Sequence, residues 1–548
     1  MSQKYDAVVV GGGHNGLVAA HYLAQSELKV LVVERRHVVG GPCSATEFFP
    51  GYRGSVCNSP GSLEPKIVLD MELERFGLAF DRPDPSLVHP FPDGRAFIAW
   101  RDRERVDAEL RKFSENDARV YHEIVGSCTE LAKKLELSLF EPPPRLSDLF
   151  ARLRTPEDEA AFTTLLFGNV KDFLDDRLET DQVKAVLACM CMFGGNYPPS
   201  APGSPFVLLQ RPMSLASMSI EADHDPRKQP LRGSTGLPRG GMGSVTEAME
   251  RSIKASGAEV RTEAEVTSIK VAANGRVQGI VLAGGEEIDA AMVISNLHPK
   301  TTLLNLVERR HVGEPLRTRL EQLKVRGCAF KVALALDDMP RFAAAPPGAL
   351  EAFASCQFRI APDMEYLEQC VNDARSGIPS RAPRLMGLTP SLVDPSLAPP
   401  GKHLMTISVY YAPYKLREGE WATEKQHFGE QVIETLAEYV PNLKDIIEDV
   451  RCDSPKDLED EYGLVEGHGL HADMSPGGMF SLRPVAGLSE YRTPVRGLYL
   501  CGAGTWPGGF ITGIPGHNGS HQALGDYALG LDSKEFAKKL EPEHRVPN

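Results

Sequence analysis

The 548-residue chain lacks several features that would assign it to a familiar class of protein. Its ten cysteines include no C-x-x-C pair, so we expect neither a zinc site nor a disulfide framework. Acidic residues outnumber basic ones, 74 to 60, and no basic run is present, so nucleic acid is not an expected partner. No charge-free apolar run is long enough to span a bilayer, and we see no signal peptide before the first predicted strand. We therefore expect a cytoplasmic protein of two or more domains.

What the chain does have is a glycine-rich segment near its beginning. An apolar run over 7–10 predicts a buried parallel strand, and residues 17–23 carry helical apolar spacing. Between them, Gly11, Gly13 and Gly16 satisfy G-x-G-x-x-G. The first glycine permits a tight turn, the second lets the backbone approach a pyrophosphate, and the third lets helix and strand pack closely. This order of elements predicts a dinucleotide-binding unit.

The residues around these glycines predict how the nucleotide is held. His14 and Asn15 lie in the phosphate loop, where we expect them to contact phosphate or to brace the turn. A second apolar strand over 30–33 ends at Glu34. A carboxylate at that tip can accept hydrogen bonds from ribose hydroxyls and would repel a 2′-phosphate.

A second glycine-rich segment lies near the other end of the chain. A short apolar strand over 498–501 leads into a close-approach turn that begins with Gly502 and Ala503. A helix is predicted from Ile514 to residue 529, entered through Gly513. No second dinucleotide fingerprint is present, which argues against a nicotinamide domain. We therefore expect oxygen or a quinone to accept the electrons.

Between the two ends, the pairs Asn274-Gly275 and Gly284-Gly285 are hairpin signals between β-rich runs, which predicts a β-meander. We assign residues 1–75, 230–300 and 485–548 to the nucleotide-binding domain, and 76–229 and 301–484 to a substrate domain. Within the latter, residues 189–220 are apolar and methionine-rich, which suits the wall of a pocket for a large apolar ligand, although ordinary core is the alternative.

These motifs together resemble the phytoene desaturase-related FAD oxidoreductases, and within them the branch of the pyridine nucleotide-disulfide oxidoreductase domain-containing proteins. Besides both glycine motifs, the resemblance rests on GLPRGGMGSVTEAM (236–249), SPKDLEDEYGLVEGHGLHADM (454–474), FSLRP (480–484) and GLYLCGAGTWPGG (497–509). Two positions depart from the family pattern. Trp506 stands where much of the family has histidine, and Ala472 replaces a common glycine.

The resemblance implies an α/β fold: a glutathione-reductase-like (Rossmann-type) FAD domain with a discontinuous α+β substrate domain. It implies non-covalent FAD, with Arg35 and Gly41 belonging to a long flavoprotein signature. Val266 sits where such proteins touch the adenine with a backbone amide. The helix at Ile514 would point its N-terminus at the flavin, where its dipole favours negative charge on reduction.

Three residues are candidates for the chemistry. Lys331 lies in an apolar predicted strand, 328–336, that resembles the lysine-bearing strand of flavin amine oxidases, with the polar face of a half-exposed strand as the alternative. His471 is expected to face the substrate or to brace its loop, and Trp506 to lie near the isoalloxazine. We expect no metal. Cys43 follows the glycine pair as a redox cysteine does in disulfide reductases. Because the next cysteine is as distant as Cys57, we predict no redox role for it.

Three functions remain open at this point. The first is an FAD-dependent oxidoreductase acting on a hydrophobic, isoprenoid- or carotenoid-like substrate by desaturation, saturation or isomerisation. The second is a flavin amine oxidase using Lys331, against which the low aromatic content, 7%, argues mildly. The third is a non-catalytic scaffold that keeps FAD for stability. The acidic net charge predicts at most weak, local peripheral contact with membranes.

Overall fold

The computed structural model describes residues 4–57, 63–192, 195, 197–216, 236–327 and 329–528. Within this part of the chain, the strands are β1 Lys4–Val10, β2 Val30–Val33, β3 Thr46–Phe49, β4 Tyr52–Gly54, β5 Phe80–Asp81, β6 Leu87–Pro90, β7 Ala96–Ala99, β8 Leu237–Pro238, β9 Glu259–Arg261, β10 Val266–Val271, β11 Val277–Leu282, β12 Glu287–Ser295, β13 Phe330–Leu336, β14 Gln357–Ile360, β15 Arg384–Leu388, β16 His403–Tyr410, β17 Ile447–Asp453 and β18 Leu498–Leu500.

The α-helices of the same residues are α1 His14–Gln25, α2 Pro65–Asp70, α3 Arg103–Arg111, α4 Glu115–Leu135, α5 Leu146–Arg152, α6 Pro156–Phe167, α7 Val170–Asp175, α8 Asp181–Cys191, α9 Val207–Ala216, α10 Gly243–Ala255, α11 Glu314–Glu321, α12 Leu350–Ala354, α13 Met364–Arg375, α14 Trp421–Ala437, α15 Leu443–Ile446, α16 Pro455–Tyr462 and α17 Ile514–Ala528. Each helix is too short or too polar to cross a bilayer.

The first large sheet has the strand order β10-β11-β12-β1-β2-β9, with β18 paired to β12. Strands β9, β2, β1, β12 and β18 run parallel, while β10 and β11 form the antiparallel meander. The apolar run of β1 is buried on both faces because helices α1, α10 and α17 cover one side and a second apolar layer covers the other. This is the predicted Rossmann-type sheet, assembled from three separate stretches of chain.

The second large sheet has the order β17-β13-β16-β15-β14-β6-β7 and is antiparallel except where β14 meets β6. Its strands β13 and β16 are almost entirely buried, since α14 packs on one face and the β3–β4 hairpin packs on the other. Mixed α/β architecture with parallel and antiparallel sheets confirms the predicted fold class. The domain boundaries stay a prediction.

Three predicted elements differ from the structure at their ends. The strand predicted over 328–336 begins at Phe330, and residue 328 lies outside the described residues. The strand predicted over 498–501 ends at Leu500, and the terminal helix, predicted to residue 529, is described to Ala528. One hairpin lies between the sheets: Phe49 of β3 and Tyr52 of β4, in the predicted nucleotide domain, pack against Ala333 and Leu404 of the second sheet.

Candidate functional site

In the phosphate loop, glycines allow main-chain atoms of the turn and of helix α1 to lie in direct contact. A Cβ placed on Gly16 would lie 2.1 Å from the carbonyl oxygen of Gly11, so any side chain there collides with main chain. Gly11 itself has a φ of +96°, which L-residues rarely adopt. Gly13 is the N-cap of α1, and a Cβ there would lie 2.8 Å from Asn296 Nδ2. The three glycines therefore do what the motif predicts: turn, open backbone and close packing.

Glu34 lies at the tip of β2 with both carboxylate oxygens engaged. Oε2 accepts from the amide of Gly12 at 2.9 Å and Oε1 from the amide of Arg36 at 3.0 Å. A carboxylate has about four lone-pair positions, so two remain for ribose hydroxyls. The carbonyl of Glu34 accepts from the amide of Ala264 at 2.8 Å, which holds Val266, two residues later, close to Glu34.

The Gly40–Gly41 pair lies directly on the phosphate loop. Gly40 forms a parallel bridge with Gly13, has a φ of +114°, and would place a Cβ 2.6 Å from Thr246 Oγ1. Arg36 donates to the carbonyl of Gly41 at 3.2 Å and holds this segment in place. Arg35, which the sequence predicts at the cofactor, donates to two carbonyl oxygens at the end of α16.

The C-terminal turn is held by a buried arginine. Arg483 has no exposed surface and donates to the carbonyl oxygens of Ala503, at 2.7 Å, and Thr505, at 3.1 Å. Burial lowers the pKa of its guanidinium to about 9. A Cβ on Gly502 would lie 2.5 Å from the carbonyl of Asn296, so this turn and the end of β12 approach as closely as backbones allow.

The N-terminus of helix α17 lies beside the N-terminus of helix α1. Gly513, with a φ of +78°, turns the chain into the helix, and the amide of Ile514 donates to Thr512 Oγ1 at 3.2 Å. A Cβ on Gly516 would lie 2.2 Å from the carbonyl of Asn15 in the first turn of α1. Two helix N-termini with their free N–H groups therefore converge beside the phosphate loop, which is favourable for an anionic ligand.

Four buried polar atoms around this point have no hydrogen-bond partner within the described part of the chain: His14 Nε2, Asn15 Oδ1, His471 Nδ1 and Trp506 Nε1. Unpaired buried polar atoms are costly, so they indicate a polar group that the protein itself does not supply. Together with the glycine cradle and Glu34, these atoms fit a dinucleotide such as FAD. Burial lowers the pKa of His14 to about 4, so its imidazole is neutral at pH 7.

His471 and Trp506 lie on two sides of the C-terminal turn. A Cβ on Gly504 would be 3.5 Å from the Cβ of His471, and burial lowers the pKa of His471 to about 3. The carbonyl of His471 is bonded by the Nε2 of His298 at 2.5 Å, which fixes the loop. The structure thus places His471 beside the nucleotide cradle rather than in the apolar interior.

Trp506 is fully buried in a stack of aromatic rings. Its ring lies 5.2 Å from that of Phe480, and Phe480 lies 5.6 Å from Phe206. Its carbonyl accepts from the hydroxyl of Tyr491 at 3.0 Å, and that hydroxyl accepts from Asn518 of α17 at 2.8 Å. The methionine-rich segment therefore reaches the C-terminal glycine motif through side-chain contacts.

Lys331 projects from β13 and is half-buried. Its Nζ donates to Ser408 Oγ, 2.5 Å away on the neighbouring strand β16, and Asp453 is its register partner on β17. Burial lowers the pKa of its ammonium, against the opposing charges of Cys57 and Asp453. Cys57 is in turn a neighbour of Cys43, so Lys331 lies on the side of the molecule where the Gly40–Gly41 segment runs.

Three residues of the site were not identified from the sequence. Asn296, directly after β12, donates to the carbonyl of Gly11 at 3.2 Å and fills the space that Gly13 and Gly16 leave open. Its signal was its position at the carboxyl end of a parallel strand next to β1. Arg36 was one residue from the predicted Arg35. Arg483 stood inside the quoted FSLRP motif, but its buried carbonyl partners come from distant segments.

Comparison with known proteins gives one family match and several relatives. The family described as flavin containing amine oxidoreductase matches residues 16–516. Pyridine nucleotide-disulfide oxidoreductase domain-containing protein 2 of Rattus norvegicus is 33% identical, over 96% of this chain and 94% of its own. The chloroplastic prolycopene isomerase of Daucus carota is 24% identical (97% and 82%). The neurosporene-forming phytoene desaturase of Rhodobacter capsulatus is 26% identical (94% and 93%).

Solved structures with the same fold include two amine oxidases. Putrescine oxidase bound to putrescine matches with a TM-score of 0.62 at 15% identity, over 96% of this chain and all of its own. Cyclohexylamine oxidase from Brevibacterium oxydans matches with a TM-score of 0.57 at 15% identity, over 96% and 99%. At such identities the likeness concerns the fold alone.

Proposed function

The chain belongs to the flavin containing amine oxidoreductase family, and from that premise we propose that its substrate is a long, uncharged, isoprenoid-like hydrocarbon. The protein is an FAD-dependent oxidoreductase related to carotenoid desaturases and isomerases. The proposal concerns which branch of that chemistry it performs: desaturation, saturation or isomerisation of a polyene, rather than oxidation of an amine.

The observation that carries the proposal is one continuous buried apolar cluster. It contains Met192, Phe206 and Met213 from the methionine-rich segment together with Trp506 and Ile514 from the C-terminal glycine motif. The described part of that segment thus packs against the residues expected nearest the flavin. An apolar surround of this kind binds hydrocarbon through burial of surface, at about 25 cal/mol per Å², without a charged contact.

The same aromatic rings argue against an amine substrate. An amine oxidase needs two aromatic rings that face each other across a gap in front of the flavin. Phe480 and Trp506 instead stack directly on each other with an angle of 29° between their planes, so these two rings leave no space for an amine between them. The names of the relatives from Daucus carota and Rhodobacter capsulatus, which specify polyene substrates, favour the same choice.

The roles of the chain's own residues follow from their positions. Bound FAD supplies a two-electron acceptor for hydrogen removed from carbon. The glycine loop, Glu34 and Asn296 hold the nucleotide in place. Burial lowers the pKa of His471 to about 3, so its neutral imidazole offers no permanent charge to a hydrocarbon. The apolar cluster orients the substrate and excludes water.

The test is anaerobic bleaching of the bound flavin, recorded near its visible absorption maximum. The panel contains phytoene and prolycopene in detergent micelles, and putrescine and cyclohexylamine in buffer. We expect bleaching by a polyene at a rate that saturates with concentration, or, with pre-reduced flavin, a changed double-bond geometry detected by chromatography. Neither amine should bleach the flavin.

Each alternative has its own result in this assay. Rapid bleaching by an amine that is lost in Lys331→Met would establish the amine oxidase and overturn the proposal. A yellow protein whose flavin responds to no compound in either redox state would support the non-catalytic scaffold. The matched control is dithionite, which must bleach the flavin in every sample and shows that it can be reduced.

A further inference from the structure

We propose that Cys43 and Cys57 form a redox-active dithiol that closes to a disulfide by exchange with small-molecule disulfides, with Lys331 stabilising the attacking thiolate. The inference departs from the sequence expectation, in which Cys43 lacked a partner. It is independent of the substrate proposed above. Its basis is the way the chain returns on itself between the two cysteines.

The β3–β4 hairpin brings the two cysteines together. It pairs Thr46 with Gly54. Cys43 precedes the first of these by three residues and Cys57 follows the second by three, so both lie at the open end of the hairpin. A separation that looks long in sequence is closed by antiparallel pairing.

A buried hydroxyl then ties the two strands of this open end. Ser55 Oγ donates to the carbonyl of Pro42 at 2.7 Å and accepts from the amide of Cys57 at 3.2 Å. The first contact is made next to Cys43, and the second at Cys57 itself. The backbones are therefore held at a fixed spacing before any covalent bond forms, which disulfide geometry requires.

The two thiols meet and are chemically unequal. A hydrogen bond with Cys57 raises the pKa of the Cys43 thiol well above its ordinary value, and burial adds to this. The same hydrogen bond lowers the pKa of Cys57, and the nearby charge of Lys331 lowers it further, against the effect of burial. Cys57 therefore loses its proton more readily than Cys43, and Cys43 is the thiol that donates the hydrogen bond.

The two cysteines also differ in their exposure to solvent. Cys43 is 1% exposed, whereas Cys57 is partly exposed. A reagent therefore reaches Cys57 first. Cys43 acts second, as the resolving residue.

The step balances with a small-molecule disulfide, RS–SR, as the oxidant. The Cys57 thiolate attacks one sulfur, the S–S bond of the reagent breaks, and one RS⁻ leaves. Cys43 then loses its proton and attacks the sulfur of Cys57, which releases a second RS⁻ that takes up the proton. Two electrons pass from the cysteine pair to the reagent, and one S–S bond joins Cys43 to Cys57.

The experiment treats the FAD-loaded protein with oxidised glutathione, quenches with acid, alkylates free thiols and maps the digest by mass spectrometry. We expect a Cys43–Cys57 cross-linked peptide that dithiothreitol removes. In Cys43→Ser the reaction should stop at a glutathione adduct on Cys57, and in Cys57→Ser no adduct should form on Cys43. Cys128, buried and with its pKa raised to about 12 by burial, serves as the internal control that stays unmodified.

The role of Lys331 is measured by alkylation of Cys57 with iodoacetamide at pH 7. We expect Lys331→Met to slow it at least about threefold and Lys331→Arg to restore it, with FAD retained in both. A persistent glutathione adduct on wild-type Cys57 without a cross-link, or cysteines that react only after urea unfolding, would overturn the dithiol. An unchanged alkylation rate in FAD-loaded Lys331→Met would remove the lysine from the proposal.

Discussion

The nucleotide cradle and the aromatic stack beside it are both buried, yet they are specified in different ways. In the cradle, main chain touches main chain: Gly16 meets the carbonyl of Gly11, and Gly516 meets that of Asn15. In the stack, three rings from distant segments fill space against one another: Phe206, Phe480 and Trp506. A backbone contact admits one residue type, whereas a side-chain contact admits many of similar size. We therefore expect Gly16 and Gly516 to admit no side chain, and the stack to admit other side chains of similar size.

The largest expected effect is at Gly16. In Gly16→Ala the new methyl group would lie 2.1 Å from a backbone oxygen, so strand and helix must separate. We expect the FAD content per chain to fall more than about tenfold, measured by absorbance after purification. The control is Gly284→Ala, whose Cβ would meet nothing within 4 Å. Equal FAD content in the two variants would contradict the backbone argument.

The stack should respond by loss of stability before loss of cofactor. Phe206→Ala should lower the free energy of unfolding by about 3–5 kcal/mol, because a fully buried ring leaves a cavity. Phe162→Ala is the matched control, since it is equally buried in the same cluster but lies on α6. Urea titration should show similar losses of unfolding free energy in the two variants. The reduction of the flavin by a polyene should slow only in Phe206→Ala. If a polyene reduces the flavin of both variants equally fast, the aromatic stack does not contact the substrate.

Glu34 is a smaller test of the cradle. Glu34→Ala removes the acceptor of two backbone amides and of the predicted ribose hydroxyls. We expect FAD affinity to weaken by about 1.5–3 kcal/mol, since the lost hydrogen bonds are charge-assisted. Fluorescence titration of the apoprotein with FAD measures the change. Glu104→Ala, exposed on α3, should bind FAD as the wild type does.

The smallest expected effect is pH-dependent and concerns the histidine that holds the loop of His471. His298 accepts from the amide of Lys300 through Nδ1 and bonds the carbonyl of His471 through Nε2, an arrangement that requires a neutral ring. Burial holds its pKa well below the ordinary value of 6.5. Below pH 6.5 the unfolded chain therefore binds a proton that the folded chain does not.

Stability should then fall as the pH falls, by up to about 1.4 kcal/mol of unfolding free energy per pH unit from this residue. Urea unfolding at pH 7.0 and 5.5 tests this, with His298→Gln expected to show the weaker dependence on pH. The exposed His427→Gln is the control and should match the wild type. If the unfolding free energy of the wild type changes with pH no more steeply than that of His298→Gln, folding does not require a neutral His298 ring.

The sequence by itself determined the cradle. Glycines that must lie at a turn or against main chain, apolar strands on either side and an acid at the strand tip are local features, so their order in the chain predicts their contacts. The hairpins at Gly275 and Gly285 were predictable for the same reason, since both have a positive φ of 80°. The terminal helix at Ile514 follows from the glycine that enters it.

Only the tertiary structure decided which distant side chains meet. Arg483 is bonded to carbonyls of the C-terminal turn, Asn296 fills the gap over the phosphate loop, and Phe480 joins Phe206 to Trp506. The proximity of Cys43 and Cys57 also depends on the strand register of the β3–β4 hairpin, which the apolar pattern of the sequence does not predict. Backbone constraints are local and restrict residue type, whereas packing between segments depends on where the whole chain brings them.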